Sequence, residues 1–182
     1  MGELAVHEFI SLDGVIEDPS WTAAYPFDPK MGEAIAAITD PDGAILLGRR
    51  TYEMFYPAWS TRTVDDDPGA PFFNETEKFV VTSTLDTPEW SNSTILGPYD
   101  RAAIQSLKDR IAGSIYVSGS ATLVRAMLSD GLVDELHLFV FPLTLGSGLR
   151  LFPDGYPETK LALRDIESYD SQVVHLTYGP GE

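Results

Sequence analysis

The amino-acid sequence predicts an α/β fold in three layers: a central mixed sheet, mostly parallel, with helices on both faces and an antiparallel C-terminal edge. Three observations carry this expectation. Short apolar runs rich in β-branched residues alternate with segments of helical periodicity as far as about residue 130, the pattern of parallel strands joined by crossover helices. Beyond that point only strand-like runs follow, the last two joined at Asp170-Ser171 as in a hairpin. Finally, Leu47-Gly48-Arg49, Val81-Thr82-Ser83 and Val117-Ser118-Gly119 share one apolar-to-polar step, as expected of strand ends that open onto a common crevice. A chain of 182 residues with 43% hydrophobic content buries most of its apolar surface in one core, so one domain spanning 1–182 is expected.

Leu4 to Ile10 is apolar with β-branched and aromatic members and reads as a central strand. The following loop turns at Asp13-Gly14, and Pro19 prevents a helix there. Trp21, Tyr25 and Phe27 are read as packing that loop down, with covering a ligand as their alternative role. Asp28-Pro29 supplies an N-cap with proline at the first helical position, and Met31, Ala34, Ile35 and Ile38 recur at helical spacing. Ala44 to Leu47 is a short buried strand that turns at Gly48 into a helix carrying Arg49 and Arg50, which Pro57 is expected to stop. Residues 60–74 show little periodicity and read as an exposed loop. Within it Asp65-Asp-Asp67 lacks the alternating spacing of a cation site and reads as solvated. Glu77 to Ser83 forms the next strand, residues 93–96 are weakly ordered, and 99–111 is helical. Ile115 to Val117 is a buried strand turning at Gly119 into a helix capped by Ser120 or Thr122. Leu132 to Pro142 is a long strand, Leu143 to Phe152 a Gly-rich loop, and Lys160–Tyr169 and Gln172–Tyr178 the closing hairpin.

Composition narrows the function. The net charge is −16, so long-range repulsion disfavours nucleic acid and anionic membrane surfaces as partners. Against that background the adjacent cations Arg49 and Arg50 stand out. No run approaches the roughly 18 apolar residues that span a bilayer, and the N-terminus lacks a basic then apolar leader. A cytoplasmic protein is expected. The absence of cysteine removes disulfides, thiolate nucleophiles and Fe–S ligation.

A strand that ends in Ser118-Gly119-Ser120 presents backbone N–H groups at a helix N-terminus, where the macrodipole favours phosphate. The same segment also serves as plain strand-to-helix geometry, and both readings stand. Two such turns would suit a diphosphate, while an arginine with the Thr82-Ser83-Thr84 hydroxyls would suit a separate monophosphate, which favours a dinucleotide. No Gly-x-x-x-x-Gly-Lys-Ser/Thr loop, complete Gly-x-Gly-x-x-Gly fingerprint or Gly-x-Ser-x-Gly elbow is present. His7, His137 and His175 each lie within a predicted strand and read as packed residues rather than metal ligands, so no metal is expected.

Ile10-Ser-Leu-Asp-Gly14, Leu47-Gly-Arg-Arg-Thr-Tyr-Glu53, Val80-Val-Thr-Ser83, Ile115-Tyr-Val-Ser-Gly-Ser120 and Phe141-Pro-Leu-Thr-Leu-Gly-Ser-Gly-Leu-Arg-Leu-Phe152 together resemble the dihydrofolate reductase-like superfamily. More narrowly they resemble the C-terminal reductase domain of the bifunctional riboflavin biosynthesis deaminase/reductase. The resemblance implies an NADPH-dependent reductase of that three-layer fold, often homodimeric, acting on a small pterin-like or flavin-precursor-like substrate. It places Gly48, Arg49, Arg50 and Thr51 against the cofactor phosphates, and Thr82, Ser83 and Thr84 near the 2′-phosphate. Ser118, Gly119, Ser120, Ala121 and Thr122 would hold the diphosphate. The loop from Asp13 to Ile16 would close over nicotinamide and substrate, with Asp13 either the acid at that site or a turn residue before Gly14. Tyr52, Tyr56, Trp59 and Arg150 are the remaining substrate-side candidates, packing being the alternative role of at least one aromatic. The sequence departs from dihydrofolate reductase in having Gly119-Ser120 where that enzyme has Gly-Gly, and in lacking a clear pterin-binding acid on the first helix. The fused deaminase domain is absent. A protein that binds NADP(H) as a dimer without catalysis is the alternative.

Overall fold

The computed structural model describes residues 1–181. The strands are β1 (Leu4–Ser11), β2 (Ala44–Gly48), β3 (Glu77–Val81), β4 (Ser93–Gly97), β5 (Ile115–Ser118), β6 (Glu135–Phe141), β7 (Leu161–Ser168) and β8 (Val174–Pro180). The helices are α1 (Pro29–Ile38), α2 (Arg49–Trp59), α3 (Ala70–Glu75), α4 (Arg101–Arg110) and α5 (Ala121–Ser129), with a 3-10 turn at Pro19–Ala24. One sheet has the order β4-β3-β2-β5-β1-β6-β8-β7. Its body is parallel, and β8 runs antiparallel to both β6 and β7. Among the described residues no helix is long and apolar enough to cross a membrane.

Strand alternation sends side chains to two cores. Val6, Leu46, Phe79 and Val117 pack under Ile104 and Leu107 of α4 and Val124 and Met127 of α5. Ile45, Leu47, Tyr116 and Phe139 pack under Met31 of α1, Tyr52 of α2 and Phe73 of α3. Sheet order explains where a ligand fits. From β2 the chain passes through α2 to β3 on one side, and from its neighbour β5 it passes through α5 to β6 on the other. The two helices thus leave adjacent strands for opposite faces and opposite directions, which opens a crevice at the switch point.

Three local expectations are corrected. Residues 70–74, read as the end of a loop, lie in α3, because Phe73 is drawn into an aromatic cluster, stacking on Trp59 at 4.2 Å and meeting Phe55 edge-on at 5.7 Å. Six residues are too few for periodicity to register, and the helix exists through those contacts. Residues 93–97, read as weakly ordered, form the edge strand β4, paired in parallel with β3 alone and half exposed, so the apolar signal is thin. Pro57 does not stop α2, which continues to Trp59, with Ser60 N–H donating to Tyr56 O at 2.9 Å. Proline removes one bond near the helix end, and the Trp59 stack holds the last residues in place.

Candidate functional site

The turns after β2 and β5 interlock. Ser120 Oγ accepts from Gly48 N–H at 2.8 Å and donates to Thr51 Oγ1 at 2.8 Å. A side chain on Gly119 would meet Thr51 Oγ1 at 3.1 Å, and its φ of +61° lies in the left-handed region, so glycine is favoured there on both counts. Ser120 occupies the same region at φ 66°, which costs about 1 kcal/mol for a residue with a Cβ; its two hydroxyl bonds offset that cost. Where a second glycine would take this conformation freely, serine takes it and fastens the turns together.

Ser120 is therefore not a conventional cap: it sits at the N-cap position, but its hydroxyl bonds no α5 amide. Gly48 likewise gives α2 no side-chain cap. By contrast Asp28 accepts from Lys30 N–H and Asp100 from Ala103 N–H, capping α1 and α4. The first backbone bond into α5 is Val124 N–H to Ser120 O, which leaves the amides of Ala121, Thr122 and Leu123 without intrahelical acceptors. At the crevice, then, the turns offer backbone N–H groups, while the hydroxyls of Ser120 and Thr51 are engaged with each other. Thr122 is exposed at the mouth, Ser118 is half-buried, and Ala121 is buried.

Beside these turns lies a cation with hydroxyls. Arg49 Nη1 donates to Thr84 Oγ1 at 2.7 Å and its Nε pairs with Glu53 at 2.7 Å, about half exposed. Thr82 is buried, its hydroxyl accepting from the amides of Thr84 and Leu85 at 3.2 Å, so it shapes the loop. Ser83, Thr84 and Arg50 are exposed.

The loop after β1 is anchored rather than free. Asp13 accepts from Ser11 Oγ at 2.6 Å, Gly146 N–H at 2.7 Å and Leu145 N–H at 3.1 Å, tying it to the late Gly-rich loop. The Ser11 hydroxyl first, then those amides, hold its carboxyl down at about 2. All three contacts use the carboxylate as an acceptor, so in this geometry Asp13 ties the loop after β1 to the late loop. Arg150 donates from Nε to Asp13 O at 3.0 Å and pairs with Val15 as a β-bridge, strengthening the same junction. Ile16 is a core residue, 7% exposed, with its N–H on Leu149 O.

The aromatic candidates on α2 divide. Tyr52 is buried and its hydroxyl accepts from Trp90 N–H at 2.8 Å. Trp59 stacks on Phe73. Tyr52 is thus a packing residue, while Trp59 is half-buried. Tyr56, half-buried, stacks on Tyr52 at 6.2 Å.

Glu8 lies outside every motif yet reaches the crevice floor. It projects from β1 on the α5 side, only 3% exposed, and its Oε1 has no hydrogen-bond partner. Burial pushes its carboxyl up to about 8, the Gly119 backbone partly opposing this. The one signal in the sequence is an acid at an inward position between Val6 and Ile10. On the opposite face His7 accepts or donates through Nδ1 to Tyr116 at 3.0 Å, and burial pushes it down to about 3. His137 and His175 bond each other at 3.0 Å, and His175 stacks on Phe139 at 4.1 Å.

Comparison with known proteins agrees with this architecture. The Bacillus subtilis (strain 168) protein YwjB is 29% identical over 171 residues, 93% of this chain and 92% of its own. A Shewanella sp. PV-4 riboflavin biosynthesis protein superposes with a TM-score of 0.80 at 18% identity, covering 100% of both chains. Acinetobacter baumannii RibD superposes at 0.64 with 18% identity, all of this chain covering 58% of that one. Enterococcus faecalis dihydrofolate reductase, in complex with NADP(H) and RAB-propyl, gives 0.63 at 16% identity over 100% of this chain and 98% of its own. These structures share the dihydrofolate reductase-like fold. Residues 3–175 match the RibD C-terminal domain along almost the whole length of the sheet and both crevice turns, and the chain belongs to that family.

Proposed function

We propose that this protein is a reductase that transfers hydride from NADPH to a small, pterin-like or flavin-precursor-like substrate. One observation carries the reading: at the switch point α2 and α5 start side by side, fastened by Ser120, with their first-turn amides uncapped. Paired helix N-termini fit a diphosphate, and Arg49 with Ser83 and Thr84 fits the additional monophosphate of NADPH. Bound there, the cofactor supplies the hydride; the protein supplies orientation and exclusion of water. The Asp13 anchor keeps the loop after β1 and the late loop in register as the substrate-side wall.

Thermal unfolding with NADPH tests the cofactor. At 100 times its dissociation constant a ligand stabilises by roughly 2.7 kcal/mol. No shift with NADPH, NADP or NADH refutes the reading. The engagement of the Asp13 carboxylate by Ser11, Leu145 and Gly146 favours a second reading, a non-catalytic NADP(H)-binding protein, since the nominated acid is occupied in holding two loops together. NADPH binding without oxidation across pterin, flavin-precursor and carbonyl substrates selects that alternative. In either case we read the protein as a homodimer. The outer strand β7 leaves Leu163 54% and Ile166 60% exposed, an edge that a second copy would cover, and a monomer by light scattering refutes this.

A further inference from the structure

Glu8 has no part in the function proposed above, and nothing in the fold requires an acid there. The strand register sets His7 opposite Ser118 and Glu8 opposite Leu138, which brings the Glu8 carboxyl alongside Gly119, directly beneath the start of α5. The Gly119 backbone hydrogen-bonds toward it, and the second oxygen finds no partner. The buried cluster on this face of the sheet includes Val6, Ile10, Val117, Leu123, Val124 and Leu138. Such a pocket excludes a carboxylate charge and admits the neutral acid.

Among the described residues no cation compensates for that charge. Tyr116 on β5, His7 on β1 and Glu135 and His137 on β6 project from the other face of the sheet. On α4, Lys108 pairs with Asp134 at the opposite end of β1. Arg125 is the charged residue of α5, and it is not among the groups that act on Glu8. Asp13 and Arg150 are bonded to each other's loops.

We propose that Glu8 is a positioning residue of the crevice: its neutral carboxyl supports the Gly119 turn from below, so a phosphate-bearing ligand binds there with Glu8 protonated and is released as Glu8 ionises. The inference rests on the crevice being a phosphate site. A negative charge on the floor of the turn opposes the ligand's own charge and competes for the same amides and helix dipole. By linkage, ligand binding must then take up a proton wherever Glu8 is ionised in the free protein.

The test measures NADPH binding by calorimetry at pH 7 and pH 9, in two buffers of different ionisation enthalpy, with inorganic pyrophosphate, which itself loses a proton over this range, as a second probe at pH 7 alone. With the free acid titrating at about 8, affinity falls about tenfold between these pH values and close to one proton is taken up at pH 9. The 2′-phosphate is already ionised above about pH 6 and does not contribute. Lys78 titrates at about 8 as well, but against Trp90 and the carbonyls of α3. Glu8→Gln keeps the shape, removes the charge and leaves Lys78 in place, so its affinity should be flat with pH. Binding with a flat profile in the unaltered protein, or a pH-dependent Glu8→Gln variant, overturns the proposal alone. Should the variant not fold, proton uptake by the unaltered protein still decides. Failure of both probes to bind at pH 7 overturns the phosphate crevice and this inference with it.

Discussion

His7 and Glu8, neighbours on β1 and both buried, titrate in opposite senses, and together they shape the stability of the protein against pH. His7 is lowered from 6.5 to about 3, so between those values the unfolded chain holds a proton that the folded chain does not. Stability from this residue is complete above pH 6.5 and is lost as pH falls, by about 1.4 kcal/mol per pH unit. Glu8 is raised from 4.5 to about 8, so between those values the folded chain holds the extra proton. Its contribution is complete below pH 4.5 and is lost as pH rises toward 8, at the same rate of about 1.4 kcal/mol per unit. Between pH 4.5 and 6.5 these two slopes cancel, and His175, which burial also lowers, adds a net loss of stability toward acid, so stability peaks near pH 6.5 with a falling limb on each side. Other carboxylates, Asp13 among them, steepen the acid limb, which makes the alkaline limb the clean measurement. Urea unfolding of the ligand-free protein from pH 4 to 8 should show a maximum near pH 6.5 and then a loss of about 2 kcal/mol between pH 6.5 and 8. Glu8→Gln should abolish that loss. An unchanged alkaline limb in the variant refutes the burial argument for Glu8.

Further outcomes follow from the same geometry. Gly119→Ala forces a Cβ into the left-handed region and to 3.1 Å from Thr51 Oγ1; it should cost about 1–2 kcal/mol in urea unfolding and remove the NADPH thermal shift. Arg49→Ala should weaken NADPH more than NADH in direct titration, and equal losses contradict its placement at the 2′-phosphate. Lys78→Met frees the carbonyls of Phe73 and Thr76, which Nζ holds at 2.8 and 2.9 Å, and should lower stability by about 2 kcal/mol; a neutral result refutes its role in terminating α3. Asp13→Asn should speed amide exchange at Leu145 and Gly146 while leaving any kcat pH profile in shape, whereas a lost acidic limb would restore Asp13 as a proton donor.

The family assignment and the layer architecture were legible in the residues because they depend on signals that act over short stretches. Alternation of strand and helix periodicity, Asp28-Pro29 at the start of α1, and the purely strand-like run after α5 each constrain the backbone locally. Gly119 could be singled out for the same reason, since its left-handed turn favours glycine, whereas Gly48 has ordinary extended backbone and its lack of a side chain serves only the close approach of Ser120. Which hydroxyl faces a ligand could not be read in this way. Ser120 spends its hydroxyl on Gly48 and Thr51, 72 and 69 residues away, and Thr82 spends its own on its loop. Asp13 finds its amide partners 132 and 133 residues later, so only the folded chain decides that it is an ionised anchor. Helix α3 and strand β4 exist through packing on α2 and pairing with β3, beyond the reach of a six- or five-residue pattern. Glu8 is the sharpest case. In sequence it is one acid in an apolar run; its burial beneath Gly119 comes from the pairing of β1 with β5, which joins residues more than a hundred positions apart.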